Sequence, residues 1–296
     1  MKYYTEDSII FLDGKFQPAK GAAASLFSQT MHYGYGVFEG IRAYATIHGT
    51  KIFKPYEHFE RLIMSCQLLN IRFNYSLEEL TQLSYQVLEK NNLSSAYIRP
   101  LVITGENMAL SGSQESTLMI ATWKWPKYFS HKEIDICISS IERPNPKSTK
   151  VDAKTCGQYV HAILASNEAR QRGFDEALML DANGFVAQGP GANFFFEKNG
   201  VLYTAPQGNI LPGITRQTVI EICNEMEIPV KEKFFKPEEL LEADSAFFCG
   251  TATEISAIRS FERHPMHKPW PSSLGSIVQQ AYNNMVMEKS FAYVIV

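Results

Sequence analysis

The chain has 296 residues, 45% hydrophobic and 12% aromatic, enough to fill one large or two ordinary cores and to exclude wholesale disorder. Its 28 Lys and Arg stand against 31 Asp and Glu, a formal net charge of −3, with no basic block interleaved with aromatics, which argues against nucleic acid as a partner. The five cysteines (Cys66, Cys137, Cys156, Cys223, Cys249) are scattered without a CxxC pair, so neither a disulfide framework nor a cysteine zinc site is expected, and no metal is.

The N-terminal stretch from Met1 to Asp7 lacks the apolar run of a signal peptide, and no segment approaches the roughly 18 uninterrupted apolar residues of a membrane span. The expectation is a cytoplasmic protein with no membrane partner. Ile9 to Leu12 and Lys15-Phe16 around Asp13-Gly14 read as a hairpin with a type I′ turn. Val37 to Tyr44 reads as one strand, with Lys51-Ile52-Phe53 pairing to it across the loop that contains Gly49. Pro55 opens a helix with Phe59, Leu62, Ile63, Cys66 and Leu69 on one face, and Ser76 with Glu79 forms a capping box for the next helix. Strands over Ala96 to Thr104 and Thr117 to Trp125 complete an α+β unit.

Trp125 to His131 has the composition of a linker, so the expected organisation is a domain over 1–125, a linker over 126–133 and a domain over 134–296. Ile134 to Ile141 is strand-like, and a loop with Pro144 and Pro146 leads to Lys154. From Tyr159 a helix is expected, with Tyr159, Ala162, Ile163 and Ala169 along one face, Val160 and Leu164 flanking it, and Arg172-Gly173 as its stop. Hairpins follow around Asn183-Gly184 and Asn199-Gly200. A helix after Leu211-Pro212-Gly213, strands over Ala246 to Phe248 and Ile255 to Ile258, and a last helix through Ile277, Val278, Ala281, Tyr282 and Met285 end the reading. Many short strands with few helices predict a barrel-like α/β domain.

The chemistry centres on Val151 to Tyr159, where a lysine precedes small residues and a helix start. Loss of water around a lysine disfavours its ammonium form, and the neutral amine forms Schiff bases with aldehydes. Three stretches suit an anion. Gly213-Ile214-Thr215 opens a helix, where N–H groups and the helix dipole favour phosphate. Cys249 to Thr253 joins a strand to a turn with hydroxyls and small residues, and Arg61 lies beside the apolar stripe of its helix. Tyr97 and Arg99, two apart on an apolar strand, face one side, and an inward arginine needs an anionic partner, either a substrate carboxylate or a structural acid. His32 to Gly40 mixes glycine with aromatics in the manner of a pocket wall.

These stretches, in this order and over nearly the whole chain, resemble the fold-type IV pyridoxal-phosphate enzymes, and among them the branched-chain amino-acid aminotransferases. The likeness is carried by His32 to Tyr44, Ala96 to Leu101, Lys154 to Tyr159, Gly189 to Phe195, Leu211 to Arg216 and Gly250 to Ile255. It implies a small N-terminal α/β domain, a larger C-terminal pseudo-barrel domain carrying the Schiff-base lysine, a homodimer or higher homo-oligomer, and pyridoxal 5′-phosphate as cofactor. Amino-acid and 2-oxo-acid substrates follow, with Leu, Ile and Val donating to 2-oxoglutarate.

Carried over position by position, the resemblance makes Lys154 the catalytic amine and proton shuttle. Tyr159 would bond the cofactor's phenolic oxygen, and Arg61, the Ile214 and Thr215 amides and Thr251 would hold its phosphate. Tyr97 and Arg99, with the amides of Thr251 and Ala252, would orient the substrate carboxylate, and Tyr33 and Phe38 would line the side-chain pocket. One position departs. The family sets a glutamate against the pyridine nitrogen in a Glu-Gly-x-Gly-x-Asn context, and this chain reads Gln188-Gly189-Pro190-Gly191-Ala192-Asn193. A neutral amide can donate to an unprotonated nitrogen or offer its oxygen to a protonated one. That keeps D-amino-acid transamination, an aminodeoxychorismate lyase and a weakly active pyridoxal-phosphate-binding paralogue as alternatives.

Overall fold

The computed structural model describes residues 3–126 and 128–289. The chain divides into two units, Met1–Pro126 with Ala153–Gln158, and Lys127–Asp152 with Tyr159–Val296. The first unit opens with β1 (Ile9–Leu12), β2 (Lys15–Pro18), α1 (Gln29–Tyr33), β3 (Gly36–Phe38), β4 (Ile41–Thr46) and β5 (Gly49–Ile52). It continues with α2 (Pro55–Leu68), α3 (Leu77–Lys90), β6 (Ala96–Thr104) and β7 (Ser116–Trp123). Its sheet runs β2-β1-β7-β6-β4-β5, with β3 also on β6.

Local chemistry sets these boundaries. Asp13 and Gly14 both take positive φ, 50° and 77°, as a type I′ turn requires, and Leu12 pairs with Lys15 across it. Ser76 accepts from the Glu79 N–H while the Glu79 carboxylate accepts from the Ser76 N–H, so the expected capping box opens α3. Phe59, Leu62 and Cys66 on α2 and Leu80, Val87 and Leu88 on α3 are buried with Val37, Ile41, Ile98, Val102 and Ile120 of the sheet. This core is apolar.

Val37 to Tyr44, expected as one strand, is two. β3 and β4 keep one register against β6, with Phe38 opposite Leu101 and Ile41 opposite Ile98. Between them the partner is Pro100, which has no N–H to give, so the ladder lapses there, although the Glu39 N–H still donates to the Pro100 carbonyl at 2.9 Å. β7 ends at Trp123 rather than Trp125, whose ring stacks on Tyr97 with centroids 4.6 Å apart. Ala153–Gln158, read from sequence with the larger domain, belongs to the first unit because its backbone is tied there. Thr155 bridges Val37, the Phe38 N–H donates to the Lys154 carbonyl, and the Gly157 N–H donates to the Gly34 carbonyl.

The second unit contains β8 (Glu133–Ile138), α4 (Tyr159–Gln171), β9 (Glu176–Leu180), β10 (Val186–Gln188), β11 (Asn193–Lys198) and β12 (Val201–Thr204). Then come α5 (Ile214–Glu225), β13 (Val230–Glu232), β14 (Ser245–Gly250), β15 (Glu254–Phe261), β16 (His264–Pro265) and α6 (Leu274–Val286). The strand order is β10-β9-β8-β15-β14-β11-β12-β13, and β10 also pairs β11. That extra pairing, made by Gln188 opposite Asn193, closes the strands from β10 to β11 into the expected barrel. Ile134, Ile136, Leu178, Val186, Phe194, Phe196, Phe248 and Ile258 belong to an apolar core of this unit.

Two details differ from expectation. β8 ends at Ile138, not Ile141, because Ser139 and Ser140 turn to bond the Glu168 carboxylate of α4. On α4 the buried face is Ala162, Ala165, Ser166 and Ala169, while Val160, Ile163 and Leu164 are about half exposed. Small residues let the helix lie close against Cys137, Ala177 and Met179, and the larger side chains are left outside. Among the described residues no helix is long and apolar enough to cross a membrane.

Candidate active site

In the first unit Lys154 stands on irregular backbone just before the short 3₁₀ turn Cys156–Gln158. Its N–H donates to Ser65 Oγ of α2 at 3.0 Å and its carbonyl accepts from Phe38, and the flanking Ala153 and Thr155 are buried. The side chain is therefore aimed from a fixed base. Its Nζ lies 5.1 Å from the centroid of the Phe38 ring, and the Arg99 guanidinium carbon lies 4.6 Å from the same centroid.

Arg99 and Tyr97 share a face of β6, as their spacing predicts, and Arg99 Nη2 donates to the Tyr97 hydroxyl at 3.3 Å. Phe38, Tyr97 and Trp123 surround the guanidinium. Among the described residues no carboxylate pairs with Arg99, and its buried Nε has no hydrogen-bond partner. A guanidinium kept out of water without a counter-charge is costly, and a carboxylate accepting both of its N–H edges relieves that cost. Of the two alternatives open to Arg99, no structural acid stands against it among the described residues. The adjacent Cys156 thiol is pushed up to about 11 by burial, against the pull of the Arg99 charge, so it is no thiolate nucleophile.

Arg61 has a partner that sequence reasoning missed. Its Nε and Nη2 donate to the two oxygens of Glu39 at 2.7 and 2.9 Å, and His58 Nδ1 reaches the same carboxylate at 2.8 Å. Glu39 is fully buried, which would raise its pKa, yet the Arg61 charge and the His58 bond together hold it far below the usual carboxylate range. Burial pushes the His58 pKa down, and Glu39 only partly offsets this, so His58 is the neutral imidazole donating through Nδ1. A signal did exist. His58, Arg61 and Ser65 recur at helical spacing beside the apolar stripe of α2, a polar stripe turned inward. Tyr33 is 48% exposed with its hydroxyl on the Met108 carbonyl, whereas Phe38 is buried.

The second unit carries a set of neutral groups. Gln188 ends β10, and its Oε1 accepts from the Leu211 N–H at 2.8 Å while Asn193 Nδ2 donates to the Leu211 carbonyl at 3.1 Å. Two residues on, Gly213 caps α5 without a side-chain acceptor for the first-turn N–H groups, so the Ile214 and Thr215 amides are of the kind that bind anions. A Cβ on Gly213 would lie 2.0 Å from Asn193 Oδ1, so only glycine fits. At the β14–β15 turn, a Cβ on Gly250 would come within 3.2 Å of both the Gly191 carbonyl and Thr253 Oγ1. The segments bearing Gln188, Ile214, Thr215, Thr251 and Ala252 are thus packed side by side.

Tyr159 begins α4 in this unit, and Arg143 in the preceding loop was not foreseen. Burial pushes the Arg143 guanidinium down while the nearby Tyr159 pulls the other way, and its Nε and Nη2 have no hydrogen-bond partner. In the first unit the orphaned Arg99 Nε and the unpartnered Thr155 Oγ1, and in the second the orphaned Arg143 donors and the uncapped start of α5, are each of the kind that anionic oxygen satisfies. No group of three His, Cys, Asp or Glu that could hold a metal ion occurs among the described residues.

The class IV amino-transferase family matches residues 36–261, and the chain belongs to that family. It is 36% identical to the branched-chain-amino-acid aminotransferase of Pseudomonas aeruginosa, over 99% of this chain and 97% of that protein. The crystal structure of the Escherichia coli branched-chain amino acid aminotransferase matches it with a TM-score of 0.92 at 33% identity, covering 97% of each chain. The branched-chain amino acid aminotransferase of Thermobaculum terrenum, in its PLP-bound holo-form, matches with a TM-score of 0.89 at 29% identity, over 98% of this chain and 97% of that one.

Proposed function

We propose that this chain transfers the amino group of Leu, Ile or Val to 2-oxoglutarate with pyridoxal 5′-phosphate as cofactor. The observation that carries the reading is the pairing of Lys154 Nζ and Arg99 at one Phe38 ring, with no carboxylate on the arginine among the described residues. The 36% identity to an enzyme named for this reaction supports it. When bound, the cofactor supplies an aldehyde to capture the amine and a ring that stabilises negative charge at the substrate Cα.

Lys154 would be the amine that holds the cofactor and the base that takes the proton from the substrate Cα and delivers it, through Nζ, to the carbon that carried the aldehyde. Tyr97 and Arg99 bind the substrate carboxylate, the guanidinium by charge and the hydroxyl by direction, and the amides of Thr251 and Ala252 are assigned to the same group. The phosphate is assigned to Arg61, steered by Glu39, and to the Ile214 and Thr215 N–H groups and Thr251. Tyr159 holds the phenolic oxygen, with the Arg143 charge beside it. Gln188 is assigned to the pyridine nitrogen. Phe38 and Tyr33 select an apolar side chain by shape, where each methylene discriminates only about 10- to 200-fold.

The protein works in the cytoplasm as a homodimer or larger homo-oligomer. Support for association is a run of large apolar side chains left in solvent on the first unit, with Leu26 at 71%, Phe27 at 63%, Met31 at 60% and Leu110 at 94% exposed. The functional test is an assay of the purified protein, supplied with cofactor, using leucine, isoleucine, valine and D-alanine against 2-oxoglutarate. Glutamate should form with the three branched L-amino acids and not with D-alanine. Glutamate from D-alanine alone, or pyruvate release from aminodeoxychorismate, would replace this reading by an alternative one.

A further inference from the structure

We propose that Gln188 presents a side-chain N–H to the ring nitrogen of bound pyridoxal 5′-phosphate and keeps that nitrogen unprotonated. The inference rests on the assignment of Gln188 to the pyridine nitrogen made above, and it adds which of two opposite states that nitrogen takes. Gln188 is 4% exposed, at the end of β10, paired with Asn193 across the seam that closes the barrel. Its Oε1 accepts from the Leu211 N–H at 2.8 Å, and its Nε2 donates to the Gly189 carbonyl at 3.1 Å.

Both partners are backbone groups whose roles cannot change, since an amide N–H only donates and a carbonyl only accepts. Turning the side chain over would set donor against donor and acceptor against acceptor. Leu211 cannot drift to accommodate such a turn, because Asn193 Nδ2 holds its carbonyl. The orientation of the amide is therefore fixed by its surroundings. Nε2 keeps a second hydrogen after serving Gly189, and a pyridine nitrogen with its lone pair is an acceptor for it.

Charge leads to the same state. A protonated ring nitrogen is a cation, and the side chains bonded to this seam, Gln188 and Asn193, carry no negative charge to match one. The nearby start of α5 adds partial positive charge from its uncapped N–H groups. A glutamate at position 188 would reverse the outcome. One oxygen would still accept from Leu211, while the negative charge of the carboxylate would favour a proton on the ring nitrogen, whose N–H would then donate to it.

The test is nitrogen NMR of the holoprotein reconstituted with pyridoxal 5′-phosphate labelled with ¹⁵N in the ring. The wild-type resonance should sit at the position of a neutral pyridine, and in Gln188→Glu it should move to that of a pyridinium. A pyridinium resonance in the wild-type protein overturns the inference, whatever the variant does, so the result does not depend on the variant folding. Borohydride reduction followed by peptide mass analysis separates the two levels of the argument. A cofactor adduct on Lys154 with a pyridinium ring sinks this inference alone, and a protein that retains no cofactor and yields no adduct sinks the proposed function and this inference with it.

Discussion

The first unit gathers formal charge, in Glu39, Arg61, Arg99 and Lys154, while the second, apart from the buried Arg143, offers amides, hydroxyls and helix-end N–H groups at Gln188, Asn193, Thr215 and Thr251. The physical demands differ accordingly. Buried charges must be balanced, and Arg61 is balanced by Glu39 with His58 neutral beside it, which leaves Arg99 in this unit, like Arg143 in the other, as a cation that calls for an anion. Neutral dipoles need only a hydrogen-bond partner each, and the second unit supplies those from its own backbone. Removing a charge should therefore be far more damaging than removing a dipole.

The largest expected effect is at Lys154. Lys154→Ala removes both the covalent hold and the proton shuttle, and turnover should fall on the order of 10⁴-fold, the upper end for a positioned acid–base group. Cofactor binding measured by equilibrium dialysis should fall much less, because the phosphate contacts assigned to Ile214, Thr215 and Thr251 are untouched. If cofactor binding disappears together with turnover, the dipoles of the second unit hold less than this comparison claims.

Glu39→Gln comes next. It leaves the buried Arg61 guanidinium without its counter-charge, and thermal or urea unfolding should show a loss of about 3–5 kcal/mol at neutral pH. The pH dependence follows from the depressed Glu39 pKa. A carboxylate whose folded pKa lies below its unfolded value, about 4.3, contributes stability that is fully present above the unfolded value and lost as pH falls through the folded one. The gap between wild type and variant should thus be constant from pH 7 to about pH 5 and shrink below about pH 4. A gap that stays constant into strong acid would mean the carboxylate does not act through its charge.

Whatever depends on neighbours in sequence was readable, and what depends on distant chain was not. The Asp13-Gly14 turn, the Ser76–Glu79 box and the shared face of Tyr97 and Arg99 are local consequences of backbone geometry. Asn199-Gly200 forms the expected turn with both φ values positive, but at Asn183-Gly184 only Gly184 is positive, because the Asp181 carboxylate collects the Asn183 and Phe185 N–H groups and builds a longer loop. The break in Val37 to Tyr44 is dictated by Pro100, some 60 residues on. The pairing of Arg61 with Glu39, the solvent-facing Ile163 on α4 and the orphaned Arg143 likewise depend on what the fold brings opposite each side chain.

The smallest effect is expected at Asn193, and it measures the other side of the comparison. Asn193→Ala deletes the Nδ2 donor to the Leu211 carbonyl without removing any charge, so stability should fall by about 1–2 kcal/mol, the cost of leaving a part-buried carbonyl unpaired. The Leu211 N–H would still be held by Gln188, so the loop loses one tether of two. Because Leu211 leads directly to the uncapped start of α5, a looser Leu211 should show first as weaker phosphate binding: a several-fold rise in the cofactor dissociation constant, with turnover at saturating cofactor nearly unchanged. A collapse of turnover at saturation instead would place Asn193 in the chemistry itself, and the division between a charged unit and a neutral one would have to be redrawn.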